Sequence, residues 1–167
     1  MTYKPTTHFS WSHAFTITID GDPVPKGRPR SARTKDGIRT YTDEKTAAYE
    51  NKVAWLARQK TRGRMLADNG VPVRVDVLAQ HKRTKALLKP SAPDGLIPKT
   101  SRTGGDADNH LKAILDGLEK ANVFKNDAQC CCLRIDAVYA DKPENGGKPC
   151  SLVRVYLPTD LLEEMNK

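Results

Sequence analysis

Asp106-Ala107-Asp108-Asn109-His110-Leu111-Lys112-Ala113-Ile114-Leu115-Asp116-Gly117-Leu118-Glu119-Lys120 carries two patterns at once. Leu111, Ile114, Leu115 and Leu118 fall at i, i+3, i+4 and i+7, the spacing of one apolar helix face. Asp108, Lys112 and Asp116 lie four apart on a different face, with Asn109 beside them. A helix over 106–120 therefore anchors itself on one side and presents carboxylates and an ammonium group on another. Asp127 follows in Lys125-Asn126-Asp127-Ala128-Gln129.

Strand patterns surround this helix. Residues 14–20 alternate and are rich in β-branched side chains, as are 71–79; 130–140 and 150–157 read as further strands, and 38–41 as a short one. Asn145-Gly146-Gly147 is a turn that predicts a hairpin between the last two strands. Thr42 or Asp43 can cap a second helix to about residue 62, with Tyr49, Val53 and Leu56 on its apolar side and Trp55 expected in the core. The expectation is an α/β (α+β) fold, a small mixed sheet of about four to five strands packed with two main helices. Residues 1–13 read as a flexible tail before a single domain over 14–167.

Composition narrows the function. The 167 residues carry a formal net charge of +8, with 38% hydrophobic and 29% charged residues. The pI near 9.4 favours an acidic partner, nucleic acid first among them. Basic residues gather in Gly21-Asp22-Pro23-Val24-Pro25-Lys26-Gly27-Arg28-Pro29-Arg30, in Arg33, and in the Pro-broken stretch holding Lys82, Arg83, Lys85, Lys89, Lys99 and Arg102. The latter reads as a mobile basic loop. No apolar run is long enough for a membrane span and the start lacks a signal-peptide core, so a cytoplasmic location is expected. Four cysteines, three of them consecutive (Cys130, Cys131, Cys132), form no zinc pattern and read as reduced apolar residues.

Clustered acids on a basic chain point to metal-assisted chemistry on phosphate. Hydrolysing a phosphodiester needs an attacking oxygen and neutralisation of developing charge, which a few carboxylates holding Mg²⁺ supply. Asp106, Asp108 and Asp127 are the candidate ligands, with Lys112 placed to steady a phosphate oxygen and Asp116 to orient Lys112. Each also has a plain structural explanation: Asp106 as a helix cap, Asp108 as a dipole partner, Lys112 and Asp116 as a surface ion pair. His110 is not expected to bind a hard cation.

Two motifs together make the sequence recognisable. Asp106-x-Asp108-Asn109-x-x-Lys112, then Asp116, then Asn126-Asp127-x-Gln129, with the Gly21–Arg30 element upstream, resembles the RusA family of Holliday junction resolvases of phages and prophages. The likeness runs from about Phe15 to Leu157. It implies a homodimeric α/β endonuclease that cuts four-way DNA junctions by paired symmetric incisions in recombination and repair. Its Mg²⁺ (Mn²⁺ as a substitute) would be held by Asp106, Asp108 and Asp127, with Lys112 as the essential lysine. Asn109, Asp116 and Asn126 would support them; Lys26, Arg28, Arg30, Arg33, Lys82, Arg83 and Lys85 would hold the DNA backbone.

Two departures stand out. Members commonly have two acids where this chain has Asn126-Asp127. Gly104-Gly105 replaces a common Lys-Pro, which implies a more flexible approach to the site. The rivals are a flap or fork nuclease of the same chemistry, a junction-binding protein without catalysis, and a basic RNA-binding protein. The last explains the charge but not the acids.

Overall fold

The computed structural model describes residues 10–28, 30–35, 37–101 and 103–165, apart from the side chains of Arg30, Ala32, Thr34, Arg39 and Glu164. The chain runs β1 (Trp11–Asp20), β2 (Arg30–Thr34), β3 (Gly37–Tyr41), α1 (Glu44–Thr61), β4 (Val73–His81), β5 (Ile97–Pro98), α2 (Ala107–Lys120), β6 (Cys130–Tyr139), β7 (Cys150–Pro158) and α3 (Thr159–Met165). Five strands form one sheet in the order β1-β7-β4-β6-β5, and β2 and β3 form a separate hairpin. Within the main sheet β4 and β6 are parallel and the other pairs antiparallel. The expected mixed α+β architecture with two main helices is therefore present.

Alternation dictates which side of each strand is covered. In β4, Val73, Val75, Val77 and Ala79 are buried while the residues between them are half-buried. The same faces of β1 and β7 supply Ile17, Ile19, Val153, Val155 and Leu157. From the helices come Val53 and Ala57 of α1 and Ile114 and Leu118 of α2. The helices also pack on each other at Gly117, where an added Cβ would stand 2.6 Å from the Val53 Cβ. A larger residue there would push α1 off α2.

α2 is the crossover between parallel strands β4 and β6, a connection that antiparallel neighbours would not need. Its boundaries and its apolar side agree with the sequence pattern: Ile114, Leu115 and Leu118 are buried and Leu111 half-buried.

Four expectations are corrected. β6 and β7 do not form a hairpin; after the turn at Gly146, β7 enters the sheet between β1 and β4, leaving β6 nearer the far edge. A turn motif specifies a local reversal, not which strand is paired next. β1 begins at Trp11, within the stretch read as a tail; residues 1–9 lie outside the described residues. Trp55 is 60% exposed, because the helix turns its Val53 and Ala57 side inward. Finally, the β4–β5 connection is organised around Arg83, itself only 5% exposed.

The Arg83 guanidinium donates to the carbonyls of Ala140 (2.7 Å), Leu87 (3.0 Å), Pro93 (2.7 Å) and Gly95 (2.6 Å). Asp141 lies 3.5 Å from it. One planar cation thus satisfies carbonyls that a Pro-broken loop leaves without secondary-structure partners. Arg83 is a staple of the loop, and no phosphate contact is open to it.

Arg83→Met should lower stability by about 3 kcal/mol, the scale for removing one partner of a buried charged network. Thermal denaturation should show it as a drop of roughly 6–12 °C, with the salt dependence of DNA binding unchanged. A change in that salt dependence without a fall in melting temperature would return Arg83 to the binding surface.

Candidate active site

Asp106 occupies the N-cap position of α2 with extended backbone (φ −85°, ψ 157°), yet its side chain makes no capping hydrogen bond. The carboxylate is exposed, as is that of Asp108 in the first helical turn. Capping alone therefore does not account for Asp106. Asn109 is half-buried, and its carbonyl accepts a 2.8 Å hydrogen bond from the backbone N–H of Lys26. Lys112, one turn on, is exposed, and no ion pair among the described residues engages it. Two carboxylates and an ammonium group thus face solvent along one edge of the helix's first turns.

Asp116 does not orient Lys112. It pairs instead with Lys26 at 2.5 Å, and Lys26 also bonds to Glu50. Glu50 is 2% exposed and takes a second ammonium, Lys120, at 2.5 Å. Burial alone would raise the Glu50 carboxyl; the hydrogen bonds from Lys120 and Lys26 outweigh it and hold it below its ordinary value. Burial likewise opposes the Lys26 charge, but Asp116 and Glu50 raise its pKa. Lys26 is consequently an internal clamp, not the DNA contact expected of it. Glu50 was missed in the sequence because a single acid on a helix's apolar side gives no pattern of its own.

Gly104 and Gly105 do not loosen the approach to the site. Gly105 has φ +96°, and an added Cβ would meet Pro25 at 2.5 Å. Gly105 is pressed against the Pro25 ring at positive φ, an approach that only glycine permits. Beneath it sit His81 and His110, with ring centroids 4.7 Å apart. Both rings are buried, and His81 Nε2 and both nitrogens of His110 meet no hydrogen-bond partner among the described residues. Burial, reinforced by the neighbouring His110 and Lys99, pushes His81 down to about 4. Burial and Lys99 also depress His110, against the pull of the nearby Gly104, Val24 and Gly105 backbone.

Asp127 lies elsewhere. It opens a short 3₁₀ turn, Asp127–Gln129, capped reciprocally by Asn126 and Gln129. The buried Gln129 amide accepts from the N–H of Lys125 (2.9 Å) and donates to the carbonyls of Asp68 (2.8 Å) and Val71 (3.0 Å). The acid-x-Gln spacing is thereby explained: Gln129 pins the turn, Asn126 caps it, and Asp127 is left exposed. Register then separates the acids. Val73 pairs with Cys130 at one end of the β4–β6 ladder and His81 with Tyr139 at the other. Asp127 precedes the first end; Asp106 and Asp108 stand at the second, beside His81 and His110.

The 14-residue helix between them is about 21 Å long. At its far end Glu119 is raised by partial burial and by the charges of Asp127 and Asp116. Its i+3 spacing from Asp116 is the signal by which sequence could have found it. Among the described residues no group of three or more His, Cys, Asp or Glu is arranged to hold a metal ion. One chain therefore does not assemble Asp106, Asp108 and Asp127 around a cation. Asp106 and Asp108 alone fit the hard oxygen donors and open exposure that Mg²⁺ accepts, since it is often held by one or two carboxylates with waters and substrate phosphate.

Of the basic residues, Arg28, Arg33, Lys82 and Lys85 are exposed. The side chain of Arg30 and the whole of Arg102 lie outside the described residues. All four cysteines are free. No helix among the described residues is long and apolar enough to cross a membrane.

An α+β domain with solvent-facing acids and a lysine on a crossover helix, in a strongly basic chain, is the outline of a phosphate-directed nuclease. Residues 20–145 match the family model for endodeoxyribonuclease RusA, and the chain belongs to that family. It is also similar to the "Uncharacterized protein YqaN" of Bacillus subtilis (strain 168), 27% identical over 132 residues, covering 76% of this chain and 89% of that protein. Membership makes it an endodeoxyribonuclease of a family that acts on branched DNA junctions.

The histidine pair yields a pH dependence. The folded-state value of His81, about 4, lies below its ordinary 6.5, so between these the unfolded chain binds more protons. Stability should be complete above about pH 6.5 and fall as the pH drops toward 4. Urea denaturation at pH 7 and 5 should show that loss in the wild type and a smaller one in His81→Gln. Equal losses would mean that other groups carry it.

Proposed function

We propose that the protein is a Mg²⁺-dependent Holliday junction resolvase, acting as a homodimer that nicks two strands of like polarity symmetrically during DNA recombination and repair. A cytoplasmic setting and a phage or prophage origin complete this reading. The observation that carries it is the solvent-facing set Asp106, Asp108 and Lys112. No capping bond or ion pair among the described residues uses its charges. In a chain of net charge +8, such acids repel DNA phosphate unless a cation lies between.

The roles divide by position. Asp106 and Asp108 are the ligands that one chain offers at the head of α2, and a bound Mg²⁺ supplies charge neutralisation at the phosphate and a water of lowered pKa. Lys112 donates to a phosphate oxygen or to the departing oxygen. Asn109, tied by its backbone to Lys26, holds the acids' turn in place. Arg28, Arg33, Lys82 and Lys85 position the arms through backbone phosphates without reading sequence.

A dimer has a chemical purpose beyond symmetry. Asp127 sits at the opposite end of α2 from the other two acids, and a second chain related by a twofold axis can present its Asp127 to the first chain's Asp106 and Asp108. Each of the two sites would then draw on both chains.

Incubating the protein with a synthetic four-way junction should give symmetric nicks with Mg²⁺ and none with EDTA. Preferential cutting of a flap would keep the chemistry and change the substrate. Asp108→Asn should lower cleavage by at least about 10²–10³-fold, the scale of losing one charge-stabilising group, while binding stays equal or tightens. Loss of junction binding in that variant would make Asp108 structural.

A further inference from the structure

Ile38 is 73% exposed, more than any other large hydrophobic residue among those described. It lies next to the turn of the β2–β3 hairpin, where Thr34 pairs with Gly37 and Ile38 faces Arg33 across the ladder. Arg33 and Lys35 are exposed too, and the sequence from Arg30 to Tyr41 holds four basic residues against one acid. β2 and β3 pack chiefly on each other, as a two-stranded ribbon separate from the main sheet. No core covers the tip, so an apolar residue there gains nothing from folding. A bare ribbon of this size is marginally stable by itself.

The stem of the ribbon is fixed where the chemistry is. It leaves the segment whose Lys26 N–H bonds to the Asn109 carbonyl at 2.8 Å and whose Pro25 presses on Gly105. It returns into Asp43, the cap of α1, beside Thr46, whose hydroxyl lies 3.4 Å from the Gly27 nitrogen. Five residues per strand reach about 17 Å. That exceeds the depth of the major groove, about 8.5 Å, and a two-stranded ribbon fits its width.

From this we propose that the β2–β3 hairpin is a wedge for branched DNA. Its basic residues hold the backbone, and Ile38 enters between base pairs at the branch, about a ribbon's length from Asp106 and Asp108. Apolar side chains inserted at a base step are a general means of opening DNA. A branch point is where unstacking is cheapest, because its base pairs already lack continuous neighbours. The wedge rests on the junction-nuclease reading and adds to it how the branch is recognised and opened.

The test uses a four-way junction with 2-aminopurine at the branch, titrated with full-length protein without Mg²⁺. Wild type should bind and raise the fluorescence several-fold, with little rise on linear duplex labelled alike. At saturating protein, Ile38→Ser should lose more than half of the rise, and Ile38→Phe, a larger apolar wedge, should retain it. An undiminished rise with Ile38→Ser, or binding without any rise in the wild type, overturns the wedge and leaves the nuclease reading intact. Conversion of Ile38→Ser to a smaller species in sedimentation also overturns it, assigning the hairpin to a second copy instead. No junction binding by the wild type overturns the resolvase reading and the wedge together.

Discussion

The buried carboxylate of Glu50 is the constraint on which the arrangement of the site depends. It stands at 2% exposure between Lys26 of the basic N-terminal element and Lys120 of α2, while belonging to α1. Leaving a buried charge without partners costs about 3–5 kcal/mol, a large fraction of a domain's stability. Closing the three segments together avoids that cost. Gly117 permits that closure, since an added Cβ would sit 2.9 Å from the Glu50 carbonyl oxygen as well as against Val53. With Lys26 drawn inward and shared with Asp116, its backbone N–H bonds to the Asn109 carbonyl and the neighbouring Pro25 ring packs on Gly105. The internal ions are thus consumed in holding the scaffold, and Asp106, Asp108 and Lys112 remain turned to solvent.

Topology imposes the second constraint. A helix joining parallel neighbours must run back along the sheet, so its first and last residues stand at opposite ends of the strands. Asp106 and Asp108 open that helix, and Asp127 comes after it has closed. Motif spacing brings these acids near in sequence, but the crossover sets them about a helix length apart in one chain. In the proposed dimer a twofold axis would resolve the conflict, by setting the head of one chain's helix beside the foot of another's.

The sequence made the helices and the covered sides of the strands legible, since those follow from periodicity within one element. Leu111, Ile114, Leu115 and Leu118 announced how α2 is seated, and Asp43 announced the start of α1. What it hid was long-range. Nothing local in Asn145-Gly146-Gly147 tells that β7 inserts between β1 and β4. Charge alone also could not sort the cations: Arg28 and Arg83 look alike in a basic stretch, yet one is exposed and the other is buried among carbonyls. For the same reason Lys26 looked like a phosphate contact until Glu50 and Asp116 claimed it. Asn126 and Gln129 were visible as a motif, but their capping function depends on carbonyls some sixty residues away in sequence.

The most direct measurement of the two-chain site is complementation between inactive variants. Asp108→Asn and Asp127→Asn are each expected to lack cleavage alone. Mixed and allowed to exchange subunits, they should regain Mg²⁺-dependent nicking of a four-way junction. Half of randomly formed dimers are mixed, and each holds one site with both essential acids intact, so about a quarter of wild-type sites should return. A mixture that exchanges subunits yet stays as inactive as its components would contradict the shared site, since it would place all three acids of each site in one chain.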